Sequence, residues 1–98
     1  MSQVWVSRQA AVDVAMVQES RMRAGAAAEA AALVELLESR LGILAERPQA
    51  GAPVPEISDT LRAHHCGGQI IYYAPSEGGQ GIEVYRILPA GFQEALGP

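Results

Sequence analysis

The sequence has no lysine and only one cysteine, and each of these features argues against certain classes of function. All seven cationic side chains are arginines, and together with eleven carboxylates they give a net charge of −4. Proteins that hold nucleic acid phosphates usually present a basic surface, so this balance argues against RNA or DNA as a direct ligand. The single cysteine, Cys66, excludes an internal disulfide framework and is typical of the reducing cytoplasm.

Long apolar runs and aromatic residues are also scarce. The longest apolar stretch, near residues 30–37, is too short to span a bilayer, and the N-terminus lacks the pattern of a signal peptide. We therefore expect a soluble cytoplasmic protein that does not bind membranes. Only five residues are aromatic whereas seventeen are alanine, so we expect the core to bury little area per residue. The folded monomer is then expected to be only modestly stable and to be stabilised by a partner.

Apolar periodicity predicts a short N-terminal strand and then two helices. Residues 4–6 are β-prone, and Ser7 after them is a good N-cap for the first helix. In the second helix, apolar residues recur at spacings of four, three, four and three: Ala30, Val34, Leu37, Leu41 and Leu44. Gly25 marks the turn between the helices, and Pro48 and Gly51 end the second one.

The C-terminal third predicts an antiparallel meander. Three apolar runs at about 60–65, 69–74 and 81–88 are separated by Gly-rich turns, and a short helical turn is expected at 92–96. Because neither helix can bury its stripe alone, the hairpin must pack on the sheet. We predict one α+β domain over residues 1–98, with an N-terminal strand, an antiparallel helical hairpin, a three-stranded antiparallel meander and a short C-terminal helical turn.

Alternation along the last strand divides its side chains into two predicted sets: Ile82, Val84, Arg86 and Leu88 on one face, and Glu83, Tyr85 and Ile87 on the other. Both faces are apolar enough to be covered, but the helical hairpin covers only one. The other face is expected to be an apolar groove that carries Arg62 or Arg86, and such patches usually mark a partner site. In the alternative arrangement, the hairpin and the C-terminal tail fill both faces.

Arg62 and Arg86 have a structural alternative to a partner role. Their stems can pack along the sheet while their guanidinium groups pair with a carboxylate such as Glu83 or Asp59. The sequence places Asp13 in the first turns of the first helix, where a carboxylate suits the helix dipole.

The run from His64 to Cys66 does not predict a metal site. Adjacent strand residues point to opposite faces, so the two histidines cannot easily bind one ion, and zinc needs about four ligands at wider spacing. Nothing places a base beside Cys66 to make it a nucleophile. The Gly-rich run 78–81 lies between two strands and lacks the lysine of a phosphate-binding loop, so it predicts a turn. We expect no cofactor and no metal.

The order of these elements and their motifs resembles the ParE branch of the ParE/RelE toxins of bacterial toxin–antitoxin modules. ParE-like toxins typically have Leu-Arg at the start of the second strand, Ile/Val-x-Tyr in the third and Val-x-Arg-Val/Ile-Leu-His in the fourth. The corresponding segments here are Leu61-Arg62, Ile71-Tyr72-Tyr73 and Val84-Tyr85-Arg86-Ile87-Leu88. The resemblance spans nearly the whole chain. It implies a plasmid or chromosomal stability toxin that inhibits DNA gyrase by protein–protein binding and is neutralised by a cognate antitoxin in a hetero-oligomer.

The chain departs from the ParE pattern after the last strand, where Pro89 replaces the usual histidine and Ala90-Gly91 follow. The RelE branch consists of ribosome-dependent mRNA endoribonucleases, which need an acid or base and cationic groups at the scissile phosphate. Residues 89–91 have no side chain that can donate or accept a proton. A RelE-like nuclease is the alternative function, and an inactive toxin-fold module that binds an antitoxin or itself is a third.

The predicted partner contact is mainly apolar with arginine anchors, because interface energy concentrates in a few aromatic and arginine residues. It is expected over the hairpin and the open sheet face. The residues predicted to contact the partner are Arg62, Tyr73, Arg86 and Leu88. No catalytic residue is predicted.

Overall fold

The computed structural model describes residues 2–92. Strand β1 (Gln3–Val6) is followed by helices α1 (Arg8–Arg23) and α2 (Ala27–Glu46). Four strands complete the fold: β2 (Ala52–Pro53), β3 (Arg62–Cys66), β4 (Gln69–Pro75) and β5 (Gly81–Pro89). Short 3₁₀ turns at Pro48–Ala50 and Ala90–Phe92 follow α2 and β5. The predicted α+β architecture is confirmed, and most of the helical turn predicted at 92–96 lies outside the described residues.

Helix α1 begins at the residue that the sequence indicates. The Ser7 hydroxyl accepts a hydrogen bond from the Ala10 N–H at 3.0 Å and donates one to the Tyr85 carbonyl at 2.8 Å, so the cap also attaches the helix to β5. After α1, Gly25 takes a φ of 78°, which allows the chain to reverse into α2. Within residues 2–92, neither helix is both long and apolar enough to cross a membrane.

The five strands form one mixed sheet in the order β1-β5-β4-β3-β2. Strand β1 runs parallel to β5, and the other neighbours are antiparallel. The predicted meander corresponds to β3, β4 and β5. Strand β2 was not predicted, because the prolines of residues 52–57 indicate an extended linker. Pro53 pairs with Arg62 at the sheet edge, a position where a strand tolerates proline.

Both helices pack on one face of the sheet and form the main core with it. The buried side chains of α2 include Ala30, Leu33, Leu37, Leu41 and Leu44. Four of these belong to the predicted stripe, and Leu33 is buried where Val34 was expected. The sheet residues of this core are Ile71, Tyr73, Ile82, Val84 and Ile87.

The strict alternation predicted for β5 is wrong because the strand contains a β-bulge. Tyr72 pairs with Arg86 and Tyr73 pairs with Val84, so Tyr85 has no residue opposite it in β4. Beyond this extra residue the two faces exchange. Ile87 therefore joins the main core, while Leu88 joins a second buried cluster on the other face with Ile70 and Tyr72.

Strand β1 is shorter than β5, and this difference creates a free edge. The pairing of β1 runs from Gly81 to Val84 of β5. Residues 85–89 therefore form an edge of the sheet on the side that faces α1. An unpaired edge with exposed N–H and C=O groups invites association with another chain unless something closes it.

Candidate functional site

The free edge of β5 is closed by a side chain from α1. The Asp13 carboxylate accepts hydrogen bonds from the Arg86 side chain at 2.8 Å (Nε) and 2.9 Å (Nη2) and from the Ile87 N–H at 3.0 Å. Only 8% of the Asp13 side chain is exposed, against 40% for Arg86. Asp13 thus occupies the place of a neighbouring strand and holds the guanidinium in a two-pronged ion pair.

Burial and hydrogen bonding act on this carboxylate in opposite directions. Burial alone would raise the pKa of Asp13, but the hydrogen bonds from Arg86 and from the Ile87 N–H outweigh it and lower the pKa below its ordinary value. Asp13 is therefore ionised at neutral pH. The expectation that Asp13 suits the helix dipole is wrong because Asp13 lies beyond the first turn of α1. Arg86 does pair with a carboxylate, but the partner is Asp13 and not Glu83 or Asp59.

Arg86 lies between two apolar depressions. The open-face groove, of about 360 Å³, lies on the sheet face away from the helices and is lined mainly by Ile57, Leu61, Tyr72, Tyr85 and Arg86. The edge groove, of about 330 Å³, lies between α1 and β5 and is lined mainly by Met16, Val17, Arg86, Leu88 and Pro89. Because Arg86 borders both, the two grooves meet at the Asp13–Arg86 pair.

Large apolar side chains at these grooves are exposed to solvent. Met16 on α1 is 65% exposed, Ile57 is 44% exposed and Tyr85 is 43% exposed. Alternation from Val84 already places Tyr85 on the face away from the helices, and the β-bulge puts Arg86 beside it at the open-face groove. Exposed apolar groups gathered around one charged residue are typical of a protein-binding surface.

The structure brings Arg62 and Tyr73 together, away from both grooves. The Tyr73 hydroxyl donates to the Pro48 carbonyl at 2.9 Å and accepts from the Gly51 N–H at 2.7 Å. The Arg62 side chain donates to the carbonyls of Gln49 at 3.1 Å and Gly51 at 2.5 Å. The two side chains thus fasten the segment after α2 to the sheet, and Arg62 donates to two backbone carbonyls and to the Gln49 side-chain oxygen instead of the predicted carboxylate.

Two of the four residues predicted to contact a partner are therefore placed at the grooves. Arg86 and Leu88 both line the edge groove. Tyr73 has no exposed surface and lines neither groove, and its contact with a partner stays a prediction. The residues that sequence reasoning missed are Asp13, Met16 and Tyr85. The only local signal for Tyr85 was its position beside Arg86 in an apolar strand.

His64 and His65 lie on opposite faces of β3, as alternation predicts. They stand opposite Ile71 and Ile70 of β4. His64 Nε2 accepts a hydrogen bond from Arg40 at 2.9 Å, and burial together with the Arg40 charge lowers the pKa of His64. Burial raises the pKa of the Cys66 thiol. Both groups are consequently neutral at pH 7 and contribute to packing at the end of β3.

Two comparisons with known proteins found matches, one to a family model and one to a solved structure. The family model described as the ParE toxin of type II toxin–antitoxin system, parDE, matches residues 4–93. A solved structure described as the chromosomal ParDE TA system from P. aeruginosa is similar with a TM-score of 0.73 and 18% sequence identity, over 91% of this chain and 96% of that chain. At this identity the structural likeness shows the fold. No curated protein sequence matches the chain significantly.

Proposed function

Because the chain belongs to the ParE toxin family of type II toxin–antitoxin systems, we propose that it is the toxin of such a module. It acts in the bacterial cytoplasm, inhibits DNA gyrase by protein–protein binding, and is neutralised by a cognate antitoxin. The match of the family model over residues 4–93 carries this proposal. The exposed apolar grooves on both sides of Arg86 support a function that depends on binding another protein.

The groups around Arg86 favour inhibition by binding over RNA cleavage. A nuclease needs a base that can deprotonate a ribose hydroxyl. Asp13 is a weak base because its lowered pKa and its three hydrogen bonds stabilise the ionised form. Burial and the neighbouring Glu83 raise the pKa of Tyr85, so its phenol is protonated at neutral pH. Neither group is suited to take the proton.

Expression from an inducible promoter, without an antitoxin, is expected to arrest growth. The purified protein is expected to block DNA supercoiling by gyrase and to leave translated mRNA intact in a ribosome-containing assay. Cleavage at defined codon positions that disappears in Arg86→Ala would establish the RelE-like alternative. Unimpaired growth with soluble protein present would establish the inactive antitoxin-binding module. A third outcome, growth arrest without effect on gyrase or mRNA, would contradict the proposed target.

The same grooves are the proposed antitoxin contact. Both have mostly apolar walls, and Arg86 between them provides a cationic anchor that Asp13 already holds in position. A bound segment that crosses from the edge groove to the open-face groove would cover Met16, Leu88 and Tyr85. Apolar burial is not screened by ions, so such a complex resists salt better than one held by exposed charge pairs.

Antitoxin affinity is expected to fall less than about tenfold between low salt and about 0.5 M salt, where the screening length is a few ångströms. Met16→Ala and Tyr85→Ala are each expected to weaken binding about tenfold, or about 1.4 kcal/mol. Isothermal titration measures both effects. Ile43→Ala is the control, since Ile43 is 50% exposed on α2 and lines neither groove. Loss of most of the affinity at high salt, together with unchanged binding by Met16→Ala and Tyr85→Ala, would contradict this contact.

A further inference from the structure

A third surface recess surrounds the only tryptophan of the chain. Trp5 lies on β1, opposite Glu83 of β5, and 46% of its surface is exposed. The recess has a volume of about 410 Å³, and the turn between β4 and β5 forms its other wall. Its lining residues are Trp5, Ser76, Glu77, Gly78, Gln80 and Glu83. It is separate from the site around Arg86, which the proposed function uses.

The recess carries two carboxylates beside the indole ring. Among residues 2–92, neither Glu77 nor Glu83 forms an ion pair with an arginine. The turn that carries Glu77 is held by hydrogen bonds: the Gly79 N–H donates to the Ser76 carbonyl at 2.9 Å, and the Gln80 N–H donates to the Ser76 hydroxyl at 3.2 Å. The backbone that carries Glu77 is thus held in place by hydrogen bonds within the turn.

We propose that this recess binds an arginine or lysine side chain of the protein partner. A cation over the face of an indole ring is attracted by the ring quadrupole, and tryptophan is the best aromatic residue for this contact. Two carboxylates at the rim add charge complementarity for the same ligand. An apolar side chain would desolvate these carboxylates without replacing their hydrogen bonds, and an acidic one would be repelled. The recess therefore selects a cation.

The recess adjoins the open-face groove but shares no lining residue with it. The Tyr85 hydroxyl donates a hydrogen bond to Glu83 at 3.3 Å, and Tyr85 lines the groove while Glu83 lines the recess. A partner segment that fills the groove with apolar residues can place a basic residue over Trp5. The identity of this partner as antitoxin or gyrase rests on the proposed function, whereas the preference for a cation rests on Trp5, Glu77 and Glu83 alone.

The test uses the single indole N–H signal of Trp5 in a ¹H–¹⁵N spectrum. Acetyl-arginine amide is the probe, and acetyl-citrulline amide is its uncharged counterpart of nearly equal shape. The arginine compound is expected to shift the indole signal saturably with a dissociation constant on the order of 1 to 10 mM. The citrulline compound is expected to cause no saturable shift. An equal response to both compounds, or no response to either, would overturn the proposal.

A double variant, Glu77→Gln and Glu83→Gln, is expected to weaken the arginine titration at least about fivefold, since each charge contact at an exposed site is modest. The matched control is Glu35→Gln with Glu38→Gln. Both of these residues are exposed on α2, and the pair changes the net charge equally. Unchanged binding in the first double variant would also overturn the proposal. Neither titration contains antitoxin or gyrase, so failure here and failure of the proposed function are separate results.

Discussion

Replacement of Leu37 by aspartate is expected to abolish the cooperative thermal unfolding of this protein. Leu37 is 2% exposed and belongs to the core between α2 and the sheet. The substitution removes a buried leucine, worth about 1.5 to 3 kcal/mol, and adds the cost of burying a carboxylate without a partner. A total loss of about 5 kcal/mol reaches the lower end of the stability range of natural domains. Circular dichroism during heating measures the loss.

Ile43→Asp on the same helix is the matched control for Leu37→Asp. Ile43 is 50% exposed, so the new carboxylate stays in water and the free energy of unfolding is expected to change by about 0.5 kcal/mol or less. The two variants differ in whether the new carboxylate lies on the buried or on the exposed face of α2. Native-like melting of Leu37→Asp, or equal destabilisation by both variants, would show that the buried face of α2 has been assigned incorrectly.

Helix α2 illustrates what could be predicted from the sequence. Its apolar spacing repeats over about four turns, and this pattern depends only on helix geometry. The pattern predicts that Leu37, Leu41 and Leu44 lie in the core, and all three are buried there. Strand β4 could also be predicted from a local pattern, since its run of Ile and Tyr residues is bounded by glycine turns at both ends.

The bulge in β5 shows why the faces of that strand could not be predicted. Alternation assumes that each residue of β5 stands opposite one residue of β4, and no property of Tyr85 indicates that it is the extra one. The consequence is large, because Ile87 and Leu88 change faces. Register in a sheet is determined by the packing of both strands together, so one strand's sequence does not reveal it.

The candidate site could be predicted only in part, because it depends on contacts between residues that are far apart in the sequence. The motif identified Arg86, but its partner Asp13 is 73 residues away, and their meeting depends on how α1 crosses the sheet. The sequence predicts Tyr73 as a partner residue because aromatic residues are frequent in interfaces. Its hydroxyl instead satisfies backbone groups of Pro48 and Gly51, which only the folded chain brings within reach.

The Asp13–Arg86 pair makes stability depend on pH in a definite direction. Because the pKa of Asp13 is lower in the folded chain, its contribution is complete above the pKa of the unfolded carboxyl, about 3.9, and is lost as the pH falls through the lower folded value. Asp13→Asn keeps the size of the side chain and an oxygen for the Ile87 N–H but removes the charge that holds Arg86. The variant is expected to be less stable by about 1 to 2 kcal/mol at pH 7.

Urea unfolding of the parent chain and of Asp13→Asn, repeated from pH 7 to pH 2.5, measures this contribution. The difference between the two proteins is expected to be constant at the upper end of this range and to shrink below about pH 4, where the unfolded carboxyl is protonated. Glu19→Gln is the control on the same helix. Glu19 pairs with Arg23, but the two side chains are 61% and 79% exposed, so its effect is expected to stay within about 0.5 kcal/mol at every pH. A difference for Asp13→Asn that does not change with pH would mean that the ionised carboxylate does not close the edge of β5.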